Sequence, residues 1–353
     1  MLAGPHEIIA FTGFLLFIIL MLSLDLGVIN KKSHALTFRE SLLWTIFWVG
    51  LAILFYILIR FFGNELHGIR DKADIQSLIN RYHHPINILN SDLQQSISDY
   101  NRNLSLEYLT GYLIEYSLSV DNIFVIIMIF LSFNIEQRYY HRILFWGILG
   151  AIIMRFLFIF VASALIERFE WIMIVFGLIL VYLGIKLGWE FFSGNDAEKI
   201  DTHNHPVVKF ISRFFSVTSE KTGQRFWIRE KRKIFITPLL IVLIIIELSD
   251  VLFAVDSVPA VFSVTRDPLI VFFSNISAIL GLRALFFLVM NVMNRFRFLK
   301  LGLAFLLSFI GVKMIFQLNI STNHSLGIII GILSVFVILS MVFPKAPLQP
   351  GKD

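Results

Sequence analysis

The sequence predicts an all-α polytopic membrane protein of about nine transmembrane helices. Three observations lead there. The chain has 353 residues, 57% of them hydrophobic. Its mean hydropathy of +0.78 is far above that of a soluble domain. Apolar runs long enough to cross a bilayer recur along its whole length, and the basic residues gather in alternate connections. Phenylalanine is abundant, at 37, and a membrane bundle can bury such rings or expose them to lipid.

The expected spans are 7–28, 42–62, 108–133, 142–165, 170–192, 236–263, 268–291, 300–318 and 325–343. The first run begins almost at Met1 without a basic leader or a small-residue cleavage site, so it reads as a retained helix. Connection 29–41 carries Lys31, Lys32 and Arg39; connection 134–142 carries Arg138 and Arg142; residues 292–300 carry Arg295, Arg297 and Lys300. Residues 193–235 carry nine basic and five acidic side chains. The intervening connections are acidic or neutral, which places the N-terminus outside and the C-terminus inside. Residues 63–107 then form an external polar loop with six acids and four bases, with room for short amphipathic helices. Residues 193–235 form a cytoplasmic basic loop ending in Arg229-Glu230-Lys231-Arg232-Lys233, a cluster suited to anionic headgroups. The whole of 1–353 reads as one transmembrane domain.

Two acidic stretches stand inside apolar spans. The third span carries Glu115-Tyr116-Ser117-Leu118-Ser119-Val120-Asp121-Asn122; the sixth carries Glu247, Asp250, Asp256 and Ser257. Glu115 to Asp121 has the spacing of Asp250 to Asp256, and Val-Asp-(Asn/Ser) closes both. A charge at such depth costs several kcal/mol, roughly 2.5–3.5 on insertion scales, so it normally faces a polar cavity. The neighbouring spans repeat as well. Ile148-Leu149-Gly150 before Arg155 is echoed by Ile279-Leu280-Gly281 before Arg283. Tyr182-Leu183-Gly184-Ile185-Lys186 is echoed by Phe309-Ile310-Gly311-Val312-Lys313. Spans three to five (108–192) and six to eight (236–318) therefore read as two copies of a three-helix unit. An odd number of helices per copy makes the repeat inverted, an architecture of secondary transporters.

On an ideal helix Glu115, Ser119 and Asn122 share a face, with Asp121 about 100° away; Asp250 and Ser257 share another. Pro259 removes the hydrogen bond to the Val255 carbonyl, so a break is expected near Asp256. Carboxylate, amide, hydroxyl and carbonyl oxygens suit a hard or borderline divalent cation: Mn²⁺, Mg²⁺ or Ca²⁺. The expected ligands are Glu115, Asp121, Asn122, Glu247, Asp250, Asp256 and Ser257, with Asp25 of the first span as an added oxygen or part of the access path. Four bases, Arg155, Arg283, Lys186 and Lys313, are the charge partners; six intramembrane acids against them leave two negative charges for a divalent cation or two protons. Lys186 and Lys313 are expected to snorkel. Asn275 reads as an interhelical hydrogen bond, and His83-His84 and His203-x-His205 as solvated loop residues.

The absence of cysteine excludes disulfides, thiolate metal sites and thiol catalysis. No His-Glu-x-x-His, Gly-x-Gly-Asp or phosphate-cradling glycine loop occurs, so neither an enzyme nor a resident cofactor is expected. The basic balance of +5 belongs to topology and does not argue for nucleic acid.

The segments Gly111 to Asn122 and Phe253 to Ala260 resemble signature motifs of the TerC/Alx family. So do His141-Arg142-Ile143-Leu144-Phe145-Trp146-Gly147, Thr265-Arg266-Asp267-Pro268, Ser274-Asn275 through Leu282-Arg283, and Leu24-Asp25-Leu26-Gly27-Val28. The resemblance covers nearly the whole chain; only residues 63–107 look longer and less regular than the family pattern. That family is named for tellurium resistance and is associated with manganese export and metal homeostasis at the bacterial inner membrane. The resemblance implies an efflux transporter for Mn²⁺ or a similar cation, with proton exchange as the coupling and the acids listed above as its site. The rivals are a non-transporting membrane scaffold in tellurite resistance or envelope stress, and a carrier of another substrate with the acids as proton relays. Oligomeric state and metal selectivity are not legible in the sequence.

Overall fold

A computed structural model of the protein describes residues 4–29, 37–88, 92–133, 135–169, 171–193, 216–217, 225–230, 233–292, 298–318, 320 and 322–343. Helices occupy each of the apolar stretches: α1 (Pro5–Ile29), α2 (Phe38–His67), α3 (Lys72–Tyr82), α4 (Leu93–Ser132), α5 (Gln137–Arg168), α6 (Ile172–Ser193), α7 (Pro238–Phe262), α8 (Pro268–Leu280), α9 (Leu282–Val292), α10 (Leu299–Ile315) and α11 (Thr322–Val342). Among the described residues five helices are long and apolar enough to cross a membrane, or six if the bent pair α8–α9 counts as one. Exposed large apolar side chains such as Ile9, Phe61, Trp189 and Met341 coat α1, α2, α6 and α11, as expected of a surface in lipid.

Local chemistry sets the ends. Thr37 caps α2 in a reciprocal pair with Glu40: the Thr37 N–H donates to Glu40 Oε2 at 2.9 Å, and the Glu40 N–H donates to Thr37 Oγ1 at 3.4 Å. Gly68, at φ +65°, ends α2 in the left-handed conformation that glycine adopts without penalty. Asp71 and Asp74 form the same kind of cap on α3. Pro238 and Pro268 stand at the starts of α7 and α8, where a missing N–H costs nothing.

α8 forms the centre, with every residue from Pro268 to Leu280 buried. α4 and α5 pack on it, and α7 packs on α4 and α5. α1 is fixed to α8 through rings, with Phe14 and Phe273 at 4.3 Å and Phe11 and Phe272 at 5.1 Å. α6 and α10 make the closest crossing. A methyl group added at Gly177 would sit 2.9 Å from the Gly311 carbonyl oxygen, and one at Gly184 would sit 2.8 Å from that of Ala304. Only glycine lets the backbones approach this closely.

Two expectations are corrected. α7 is continuous through Asp256 and Pro259, because the proline falls in the last turn, where one lost bond does not interrupt the helix. The sharp bend falls instead at Gly281, where α8 and α9 meet at 43°. In residues 63–107 the room for short amphipathic helices is filled by α3, which lays Ile75, Ile79 and Tyr82 inward, between the end of α2 at His67 and the start of α4 at Leu93. The described residues are mostly helical, consistent with an all-α membrane protein; the short strands β1 (Ser216–Val217), β2 (Trp227–Glu230) and β3 (Lys233–Ile236) add a small sheet in the order β1-β3-β2. Finally, Lys313 does not snorkel; its ammonium donates to the Ser263 carbonyl at 3.2 Å and to Ser325 Oγ at 3.1 Å, meeting the orphan end of α7. Lys186 is exposed and lies 3.9 Å from Glu190 one turn on. Residues 203 and 205 and much of the basic loop lie outside the described residues.

Candidate functional site

The central feature is a fully buried arginine. Arg155 of α5 has no exposed surface, and its guanidinium reaches acids from two helices. Nη1 donates to Glu115 of α4 in a close ion pair, to Asn275 Oδ1 of α8 at 2.9 Å and, at 3.5 Å, towards Ser257 Oγ of α7. Nη2 donates to Asp250 Oδ1 of α7 at 3.3 Å. Asn275 closes the ring by donating from Nδ2 to Glu115 Oε2 at 2.9 Å. The fork of the guanidinium suits this work, since it presents several donors in one rigid plane. Four helices are thus tied at one point inside an apolar bundle.

The periodicity of each helix explains the set. Glu115, Ser119 and Asn122 follow one face of α4, and Asp250 and Ser257 follow one face of α7. Some polar atoms there make no hydrogen bond among the described residues: Ser119 Oγ, Asn122 Nδ2, Arg155 Nε and Asp250 Oδ2. Asn122 and Asp250 also line a cavity of about 30 Å³, walled by Gly147, Ala151, Ile246 and Phe253. That volume holds one water or one bare ion. Glu247, one turn before Asp250, is half-buried, with its carboxylate laid against Gly150, where any side chain would collide with it.

The structure therefore brings together Glu115, Asn122, Asp250, Ser257, Asn275 and Arg155, with Glu247 beside them. Asp25, Asp121 and Asp256 belong to α1, α4 and α7, but their side chains lie outside the described residues. Among the described residues no three of His, Cys, Asp and Glu converge as a metal cage. Arg283 donates to His141 Nε2 at 2.9 Å, about four turns along α5 from Arg155. Asn275 makes the interhelical bond expected of it.

Sequence reasoning missed a second buried polar cluster. Glu7 Oε1 lies 3.0 Å from His67 Nδ1, and His67 Nε2 lies 2.9 Å from Asp267 Oδ2. Beside them His84 Nδ1 lies 2.8 Å from Glu107 Oε1, which also accepts from Asn103 Nδ2 at 2.7 Å. Tyr82 and Tyr100 pack their rings against both imidazoles. His84 is 4% exposed, which corrects its reading as a solvated loop residue; His83 is the exposed one, 3.5 Å from Arg266. Burial works against a charged His84, but adjacent Glu107 outweighs it and holds the imidazole pKa above its ordinary value. Burial likewise works against the charged form of Asp267, yet His67 and His84 hold its carboxyl below the usual range. The sequence held separate hints, Glu107 just before an apolar run, the His83-His84 pair and Asp267 in Thr265-Arg266-Asp267-Pro268; nothing local joins them or marks Glu7.

Comparison with known proteins finds membrane proteins. The profile described as "Integral membrane protein TerC family" matches residues 100–347. An "Uncharacterized membrane protein STKORF319" of Myxococcus xanthus is 38% identical over 344 residues, covering 97% of this chain and 94% of its own. A protein of Escherichia coli (strain K12) named "Putative membrane-bound redox modulator Alx" is 38% identical over 331 residues, covering 93% of this chain and 92% of its own. An "Uncharacterized membrane protein" of Rickettsia bellii is 35% identical over 331 residues, 93% of this chain and 96% of its own. No solved structure matches.

Proposed function

The chain belongs to the TerC family of integral membrane proteins, and from that premise we propose that it is an efflux transporter for a divalent cation, Mn²⁺ foremost, in the bacterial inner membrane. The observation that carries the reading is the Arg155 network. Carboxylates from α4 and α7, the two acidic helices, meet at one buried cation beside a cavity of about 30 Å³. Neutralising such a pair with a protein guanidinium makes it a site that another cation can claim. Arg155 then acts as a tethered counter-ion: it holds Glu115 and Asp250 when no ion is bound and withdraws as an arriving ion takes their oxygens. Asn122, Ser257 and Glu247 supply neighbouring oxygens, and Asp121 and Asp256 complete the ligand set from the same two helices. Proton exchange at these carboxylates is the coupling.

The same reading takes nine spans, an external N-terminus and two inverted repeats. Three features support the repeat. Glu115 and Asp250, matched by the sequence repeat, both bind Arg155. Matching Gly184 with Gly311 also matches Gly177 with Ala304, and the observed contacts Gly177–Gly311 and Gly184–Ala304 exchange under that match. α4 packs on α8 and α7 on α5, which exchange in the same way. The "redox modulator" name of the relatives points elsewhere, but a thiol mechanism has no residue here, since the chain has no cysteine.

The test is Mn²⁺ flux into proteoliposomes for the wild type, Asp121→Ala, Asp256→Ala and Asp250→Asn. Flux that is lost in the variants while they remain folded supports the site. Flux that survives in all three keeps a transporter and discards the site. A wild type that carries no ion under any pH gradient leaves the scaffold reading.

A further inference from the structure

The cluster around His67 is separate from the central site and differs from it in chemistry. Both ring nitrogens of His67 are within hydrogen-bond distance of a carboxylate oxygen, Glu7 Oε1 at 3.0 Å and Asp267 Oδ2 at 2.9 Å. An ionised carboxylate can only accept. Two such bonds from one imidazole therefore need a proton on each nitrogen, one more than a neutral histidine carries. All three side chains are buried, so water cannot supply a missing donor. Remove the shared proton, and one carboxylate faces a bare nitrogen lone pair at bonding distance.

The three residues sit on separate segments. Glu7 is in the first turn of α1, His67 is the last residue of α2, and Asp267 caps α8 by accepting from the Leu269 N–H at 2.9 Å. His84 and Glu107 carry the cluster on to the α3–α4 connection and to α4. There His84 Nε2, Glu107 Oε2 and Tyr100 Oη make no hydrogen bond among the described residues. The other titratable groups turned towards it are His6, packed on Gly68, the phenols of Tyr82 and Tyr100, and Lys313 of α10, whose charge bears on Glu107. Arg266 engages His83 instead.

We propose that Glu7, His67 and Asp267, extended by His84 and Glu107, are a proton-binding clasp at this end of the bundle: the shared proton ties α1 and α2 to the start of α8, and its loss weakens that tie. Asp267 also accepts from the Leu269 N–H, so it stays with α8 when the proton leaves. The rings of Phe11 and Phe14 keep the rest of α1 on α8. The sign is fixed by the chemistry. His84, held above its ordinary value, contributes stability that is complete below the ordinary histidine range and lost as pH rises beyond it. The clasp is closed in neutral or mildly acidic surroundings and opens in alkaline ones. The inference does not depend on what the protein carries.

The experiment uses the full chain in liposomes. It has no cysteine, so Gly4→Cys and Ala73→Cys can carry a spin-label pair; the space beside Gly4 is open and Ala73 is exposed. The label distance is expected to be single and narrow at about pH 6 and to gain a longer component at about pH 10.5, well beyond the ordinary histidine range. Glu7→Gln removes one carboxylate and keeps a hydrogen-bonding side chain; it should move the transition down by about one pH unit or more. His67→Gln should abolish the pH dependence, and if that variant does not fold, Glu7→Gln decides alone. One unchanged distance across the whole range in the folded wild type overturns the proposal. So does a transition that Glu7→Gln leaves in place.

Discussion

The two buried polar clusters share their scaffold and differ in their cation. Glu107 and Glu115 lie eight residues apart on α4, and Asp267 and Asn275 lie eight residues apart at and along α8. At 1.5 Å per residue the clusters are about 12 Å apart along both helices. The central one is organised by Arg155, a guanidinium that keeps its proton at any pH a cell meets. The other is organised by His67 and His84, imidazoles whose charge depends on a bound proton. The same helix pair thus carries one cluster whose cation keeps its charge and one whose cation a proton makes or removes.

The sharpest way to break the comparison is at its fixed member. Arg155→Leu leaves Glu115 and Asp250 buried without their cation, and removing one partner of such a pair costs about 3–5 kcal/mol. Thermal unfolding in detergent should show a protein that is barely folded, and the loss should be the same at neutral and alkaline pH. An Arg155→Leu variant as stable as the wild type would mean that the acids are protonated and that the arginine is not their counter-ion.

The titratable member predicts a pH-dependent loss. Glu107→Gln removes the acceptor that keeps His84 charged, a cost of about 1–3 kcal/mol where that proton is bound. The gap from the wild type should be full near neutrality and close as pH rises, because the wild type then gives up the same interaction. At the acid end, stability held by the low carboxyl of Asp267 should fall away as pH drops through its depressed range. Parallel melting curves across the whole range would remove the distinction between the clusters.

Glycine substitutions sharpen the contrast between frame and site. Gly311→Ala drives a methyl into the Gly177 carbonyl, which is backbone and cannot yield, so overpacking should cost about 1–3 kcal/mol of stability. Gly150→Ala meets only the movable end of Glu247; it should leave the melting temperature nearly unchanged and lower ion flux. The smallest effect belongs to Ser257→Ala. Its contact with Arg155 is long, at 3.5 Å, so less than about 1 kcal/mol is expected.

The central site was legible because its signal is local. A carboxylate in an apolar run is visible residue by residue, and the spacing of Glu115, Asp250 and Ser257 fixes their helix faces. Arg155 stood out for the same reason. The second cluster was hidden because Glu7, His67 and Asp267 meet only through the tertiary fold, and His84 is buried by a connection that sequence marks as polar. The path of α7 was misread because the weight of Pro259 depends on its distance from the helix end. The sheet at 216–236 was masked by its charges, which read as a solvated loop. In the fold, the positions of the helices were foreseeable from apolar length, whereas the extension of α4 to Leu93 rests on packing that buries Tyr100 and Leu104.

The Arg155 network also bears on how the protein is made. In the nine-span reading three acids enter the bilayer with α7, and each charge resists that transfer by roughly 2.5–3.5 kcal/mol. Alone, that segment is a poor client for the insertion machinery. Ribosomes deliver α4 and α5 first, so Glu115 and Arg155 are already waiting when α7 emerges. The N-terminal half then serves as an internal receptor, and α7 should integrate efficiently only in a nascent chain that still holds Arg155.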